Sequence, residues 1–75
     1  MRLYRYESPV GAFIIKPQPD GRWGLWLKDD LLGNYHSAVA AADDVYTQTT
    51  VDYDWDTYEG SDIPTDIHEW EVIVR

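Results

Sequence analysis

Hydrophobic and polar residues alternate along five segments of the chain, and such alternation is typical of strands that bury one face. In the third segment, Trp23, Leu25 and Leu27 share one face, whereas Trp26 lies on the other. Strands are therefore predicted at residues 2–6, 12–17, 22–28, 31–36 and 69–74. The short connections between the first four favour an antiparallel meander, and the last strand is expected to close the sheet.

A hairpin turn and a helix are also predicted. Pro19-Asp20-Gly21 has the chemistry of a tight reversal, which should join the second and third strands. Ser37 is a favoured N-cap residue, because its hydroxyl accepts a hydrogen bond from an otherwise unpaired backbone N–H. Apolar residues at helical spacing follow it, at Ala38, Ala41, Ala42 and Val45. We predict a helix over residues 37–48.

Residues 49–66 are polar, acidic and aromatic, and we predict a long loop there. Loops of this length in compact domains usually carry function or are disordered. The alternation in this segment favours an extended chain pinned to the sheet, with its aspartates pointing outward. The residues expected to point inward are Val51, Tyr53 and Trp55.

These elements predict an α+β fold, in which an antiparallel β-meander of three to five strands carries one α-helix on one face. We expect residues 1–75 to form a single small domain. A chain of 75 residues buries barely enough apolar surface to fold, so large side chains should dominate its core. In the last strand, Trp70, Val72 and Val74 should point inward. The predicted core consists of Leu3, Phe13, Ile15, Trp23, Leu25, Leu27, Ala41, Ala42, Val45, Trp70 and Val72.

Trp26 is expected on the sheet face away from the helix, beside Arg22 and Lys28. Two interpretations of this position are open. The face is either exposed and available to a partner, or the long loop folds over it and places Trp55 or Tyr53 there as a second small core.

The charge of the chain is unevenly distributed. The net charge is −8, yet residues 1–28 carry five Lys or Arg against two acids, whereas residues 29–74 carry twelve acids and no Lys or Arg. An acidic surface repels phosphates and anionic lipids, so neither nucleic acid nor a membrane is expected to bind directly. A basic protein partner is favoured. The alternative is that the basic first half lies against the acidic second half and that the remaining charge forms a solvated face, which serves solubility.

The sequence contains no cysteine, no apolar run long enough for a membrane span and no signal-peptide pattern at its start. A cytoplasmic protein without disulfides or a thiol nucleophile is therefore expected.

Chemical motifs are weak. Asp52, Asp54 and Asp56 match the first three ligands of an EF-hand calcium loop, but Thr57 and Ile63 replace the required glycine and glutamate. The two histidines, at positions 36 and 68, form no metal-spaced pair, and no nucleophile signature occurs. We expect no enzyme activity and no cofactor, and the three aspartates are weak metal candidates.

The favoured hypothesis is a non-catalytic interaction or regulatory module that offers an acidic, aromatic surface to another protein. The partner-binding candidates are Trp26, Trp55, Tyr53, Tyr58, Asp54, Glu59 and Asp62. One version is mimicry of nucleic acid by spaced carboxylates. The alternative is a small-ligand binder that holds calcium, or a sugar stacked on Trp55, in the acidic loop at residues 52–62. A monomer or weak homodimer is expected.

Four sequence motifs carry a resemblance to known proteins: GRWGLWL, LLGNYHSAVAAADDVYTQTT, the Trp55-Asp56 pair and IPTDIHEWE. In this order they resemble small uncharacterised bacterial proteins of similar length, over residues 21–71. The resemblance implies a stand-alone bacterial domain and carries over no functional residue.

Overall fold

Five strands form one antiparallel sheet in the computed structural model, which describes residues 2–60 and 62–75. The strands are β1 (Arg2–Ser8), β2 (Gly11–Pro17), β3 (Trp23–Leu27), β4 (Asp30–Tyr35) and β5 (Glu71–Val74). Their order across the sheet is β4-β3-β2-β1-β5. The helices are α1 (Ala38–Thr47) and the single turn α2 (Tyr53–Asp56), followed by a 3-10 turn (Ile67–Glu69). With α1 packed against the sheet, the α+β prediction is confirmed.

The hairpin between β2 and β3 forms as predicted. Gly21 adopts a φ of 84°, which a residue without a Cβ tolerates best. The Asp20 carboxylate accepts a hydrogen bond from the Arg22 N–H at 3.0 Å and another from the Asn34 amide at 3.0 Å. Asp20 therefore fixes the turn and also ties it to β4.

Capping residues set both ends of α1. The Ser37 hydroxyl accepts from the Ala40 N–H at 3.1 Å, as an N-cap should. At the other end, Gln48 adopts the left-handed conformation and its N–H bonds to the last carbonyls of the helix. The buried stripe of the helix contains the predicted residues Ala38, Ala41, Ala42 and Val45. Small alanines bring the helix close to β2, β3 and β4.

Aromatic rings fill the space between the sheet and the segment that follows α1. Trp55 lies with its ring centroid 5.1 Å from that of Phe13 and 5.9 Å from that of Tyr6. Trp70 packs on the same group, 5.6 Å from Tyr6. The segment after α1 thus returns to the face that α1 covers.

The prediction for residues 49–66 is partly wrong, because α2 interrupts the expected loop. Trp55 points inward as predicted, but Val51 and Tyr53 are 80% and 78% exposed. Asp52 caps α2 by accepting from the Trp55 N–H at 3.0 Å, so the backbone turns helically. In a helix, residues two positions apart point in different directions. The side chains that would share the inward side of an extended chain therefore no longer point the same way.

The predicted last strand begins too early. Asp66 accepts from the His68 N–H at 2.8 Å and starts the 3-10 turn, so β5 begins only at Glu71. Trp70 is buried as predicted, but Val72 and Val74 are 49% and 72% exposed. They sit on an edge strand that α1, packed over β2 to β4, does not reach.

The core otherwise follows the prediction with three further changes. Trp23 is half-buried and packs against the core from its margin. Leu3 is buried on the opposite face of the sheet, where it pairs with Ile73. The core also contains three residues that the predicted core did not include: Ala38, Trp55 and Ile67.

Candidate functional site

The most exposed apolar side chains in the described part of the chain lie together at the bend between α1 and α2. Val51 and Tyr53 point into solvent and alternate with Asp52 and Asp54. We call residues 51–54 the loop tip. Val51 has a φ of 66°, which a β-branched residue adopts only when its surroundings impose it.

Hydrogen bonds beneath the loop tip impose this conformation. The Asp56 carboxylate accepts from both the N–H and the hydroxyl of Thr50, each at 2.9 Å, and Thr50 is buried. The Gln48 side chain donates to the Trp55 carbonyl at 2.8 Å. The Trp55 indole donates to the Val45 carbonyl at 2.9 Å. The base of the loop tip is therefore attached to both α1 and the core.

The structure separates the seven partner-binding candidates. Trp55 is fully buried and is therefore no part of a binding surface, contrary to that prediction. Tyr53 and Asp54 lie in the loop tip. Tyr58 is half-buried against Trp55 and donates to Asp62 at 2.9 Å, which raises the pKa of Tyr58. Glu59 is exposed nearby in the chain, whereas Trp26 belongs to the opposite face of the sheet.

The three aspartates proposed as calcium ligands serve different purposes. Asp52 caps α2, Asp56 binds Thr50 and Asp54 is exposed. Within residues 2–60 and 62–75, no group of three or more acidic or histidine side chains is arranged to hold a metal ion. The sugar-binding version also lacks its platform, because the Trp55 ring is buried. The described residues enclose no pocket.

The outer side of α1 carries a second exposed surface that the sequence analysis missed. Val39, Asp43 and Tyr46 recur at helical spacing on the side away from the sheet. Val39 is 55% exposed and Tyr46 is 47% exposed. The signal was present in the sequence, because both apolar residues fall outside the buried stripe of the helix.

The described helices pack on one face of the sheet and none covers the other face, although Leu3 is buried there. Strand pairing places Ile14 opposite Trp26, and Trp26 opposite Leu31, on this face. The prediction that Trp26 lies away from the helix is confirmed, and the alternative that the long loop covers it is wrong. We call this surface the open face. Its apolar residues are Leu3, Ile14, Trp26, Leu31 and Ile73.

Trp26 lies flat along β3 because Gly24 leaves room for it. A Cβ at Gly24 would lie 2.9 Å from the Trp26 indole nitrogen and 2.8 Å from Cδ of Gln18. The indole N–H is buried and has no acceptor among the described residues. The Lys16 ammonium lies 4.6 Å from the centre of the Trp26 ring, a cation–π contact.

Tyr35 links β4 to α1 and gives the fold a pH dependence. Its hydroxyl donates to Asp44 at 2.6 Å, and burial, followed by this hydrogen bond, raises the pKa of Tyr35. The unfolded chain loses this proton near pH ~10, whereas the folded protein keeps it, so stability falls as the pH rises further.

Tyr35→Phe should therefore flatten the decrease in the free energy of unfolding between about pH 9 and pH 11. Urea denaturation across this range measures the slope. Burial also raises the pKa of Tyr6, and the hydrogen bond to Asp62 raises the pKa of Tyr58, so some slope remains in Tyr35→Phe. Equal slopes in wild type and Tyr35→Phe would contradict the role assigned to Tyr35.

Comparison of the chain with known protein families, with curated proteins and with solved structures found no match in any of the three. The resemblance to small bacterial proteins therefore stays a prediction. Among the helices of residues 2–60 and 62–75, none is long and apolar enough to cross a membrane.

Proposed function

We propose that the protein is a non-catalytic interaction module that presents its loop tip to a basic partner protein. The observation that carries this proposal is the exposure of Val51 and Tyr53, at 80% and 78%, on a backbone fixed from below. Large apolar side chains in solvent favour contact with another surface. Asp52 and Asp54 between them favour a partner with Lys or Arg around an apolar centre.

The fixed backbone makes this surface a better binding site than a flexible loop would be. A segment that is ordered before binding loses less conformational entropy when the partner docks. Thr50, Asp56 and Trp55 supply that order through hydrogen bonds and burial. Tyr53 then serves as the anchor, because tyrosine is enriched among the few residues that carry most of the binding energy at interfaces.

Charge around the loop tip should speed the encounter with a basic protein. The chain carries a net charge of −8, and the exposed acids Glu59 and Asp62 follow α2 in the sequence. Opposite charge raises association rates more than it raises affinity. We extend the proposal to a bacterial, cytoplasmic protein that binds neither nucleic acid nor membranes directly. Mimicry of nucleic acid is a narrower version of this proposal. The apolar residues of the loop tip favour instead a partner surface that combines basic and apolar residues.

The test begins with immobilised protein in a native lysate, followed by affinity measurements on the protein it captures. The double variant Tyr53→Ser/Asp54→Asn should weaken the Kd for that partner by roughly 10- to 100-fold. The matched control is Tyr46→Ser/Asp29→Asn, which removes the same chemical groups at exposed positions elsewhere. It should change the Kd less than about twofold.

Salt separates the charge contribution from the apolar one. Raising NaCl from about 0.05 to 0.5 M should weaken wild-type binding severalfold, because screening removes the long-range attraction. Equal Kd values for wild type and Tyr53→Ser/Asp54→Asn would contradict the loop tip as the binding surface. Binding that does not respond to salt would contradict the basic partner.

A further inference from the structure

We propose that the open face docks the loop tip of a second copy of this chain, so that the protein associates head to tail. The inference uses the same loop tip as the proposed function and names one of its partners. It differs from that function in assigning a role to the open face. It is tested on the purified protein alone, so the two proposals can fail separately.

The open face offers an apolar surface with a cation beside it. Trp26 lies between Ile14 and Leu31 on neighbouring strands, and Leu31 is 46% exposed. The Lys16 ammonium lies over the Trp26 ring. An incoming aromatic or aliphatic side chain would contact this surface within reach of the Lys16 charge.

The open face carries a cation beside Trp26, although the molecule as a whole is acidic. Arg5 contacts both Glu7 and Glu71, so one cation faces two acids where β1 meets β5. Among the described residues, Lys16 has no acidic partner. Arg22, exposed in the turn before β3, interacts with the Asp20 carboxylate, which offsets its charge. An acidic, apolar ligand is therefore complementary to the part of this face around Trp26 and Lys16.

The loop tip has that chemistry. It combines the exposed side chains of Val51 and Tyr53 with the carboxylates of Asp52 and Asp54. Within one copy the two surfaces cannot meet, because the segment carrying the tip packs on the α1 side of the sheet and the open face lies on the other side. Contact between them requires a second copy.

Charge also decides the arrangement of the two copies. Two open faces packed on each other would bring Lys16 of each copy toward the other, which is unfavourable. A head-to-tail contact pairs Lys16 with Asp54 and leaves one tip and one face free. In an open row of such contacts the average mass keeps rising with concentration, whereas a closed ring would stop at a fixed mass. The contact is small, and we expect a Kd on the order of 0.1–1 mM.

A charge swap tests this contact by sedimentation equilibrium at about 0.15 M salt, where net repulsion between copies is screened. Wild type should exceed its monomer mass of 8.7 kDa at millimolar concentration. Lys16→Glu alone and Asp54→Lys alone should each lose association, because in each variant the loop tip and the open face carry charges of the same sign. Their equimolar mixture should regain it. The mixture has the wild-type average net charge, so recovery reports the local contact.

The controls carry the same charge changes outside the contact. Arg2→Glu and Asp29→Lys should associate as wild type does, since neither residue belongs to the open face or the loop tip. A wild type that stays monomeric would overturn the inference, as would a mixture that stays monomeric. Loss of association in Lys16→Glu but not in Asp54→Lys would also overturn it, because it would indicate a contact between two open faces.

These outcomes are independent of the proposed function. A monomeric wild type whose Tyr53→Ser/Asp54→Asn variant still loses its basic partner rejects the self-contact alone. The reverse result, self-association without any effect of the tip on a partner, rejects the proposed function alone. If both hold, the second copy and the basic partner compete for one tip, and added partner should reduce the average mass of the assemblies.

Discussion

Truncation of Trp55 to alanine is expected to lower the free energy of unfolding by about 3–5 kcal/mol. Trp55 is fully buried, and its ring packs 5.1 Å from Phe13 and 5.3 Å from Tyr58. Alanine removes these contacts and the hydrogen bond to the Val45 carbonyl. A chain of 75 residues has a stability of about 4–11 kcal/mol in total, so the expected loss is a large fraction of it. Urea denaturation followed by circular dichroism measures the loss.

Trp55→Phe separates packing from hydrogen bonding. Phenylalanine keeps an aromatic ring in the core but cannot donate to the Val45 carbonyl, and we expect a smaller loss of about 1–3 kcal/mol. Trp55→Ala with the wild-type urea midpoint would mean that the segment after α1 does not belong to the core. The scaffold beneath the loop tip would then be absent from the folded protein.

Asp56→Ala is expected to produce the next largest loss of stability, about 1–3 kcal/mol. One oxygen of its carboxylate accepts both the N–H and the hydroxyl of buried Thr50, and alanine leaves both donors unpaired. Val51, in its left-handed conformation, directly follows Thr50, so the loop tip should also lose its fixed shape.

The matched control for Asp56→Ala is Asp54→Ala, two residues earlier in the same helical turn. Asp54 is exposed and has no hydrogen-bond partner in residues 2–60 and 62–75, so its truncation should change stability by less than about 0.5 kcal/mol. Comparison of the two urea midpoints tests the assignment. Equal midpoints would show that the bond between Asp56 and Thr50 contributes nothing measurable.

Elements encoded by local patterns were predictable from the sequence. The strand alternation around Trp23 and Leu25, the reversal at Asp20 and the cap at Ser37 each depend on residues close in the chain. Local periodicity determines which face of an element is apolar. The α+β fold followed from these patterns because few arrangements bury one helix stripe and one sheet face together.

Patterns within a strand do not determine what covers it. Val72 and Val74 alternate as core residues would, yet they lie on a short edge strand outside the cover of α1. Leu3 alternates with Tyr4 in the same way, and only the register with Ile15 places Tyr4 on the core side. Coverage is a property of the tertiary structure.

The loop tip was only half predictable. Tyr53 and Asp54 were candidates from composition, but the six residues around them fit a strand period as well as a helical one. The hydrogen bond from the Trp55 N–H to Asp52 and the burial of the Trp55 ring favour the helical conformation. No sequence signal marks Val51, because β-branched residues rarely adopt positive φ and nothing local favours it there.

Residues 49–60 are a folded part of the domain and hold the loop tip in a fixed shape. Native-state hydrogen exchange of the wild-type protein, resolved by NMR, tests this most directly. We predict that the amide of Thr50, the amide of Trp55 and its indole N–H are protected nearly as well as the amides of α1. Exchange of these three protons at the rates of an unstructured chain, with α1 still protected, would contradict the claim.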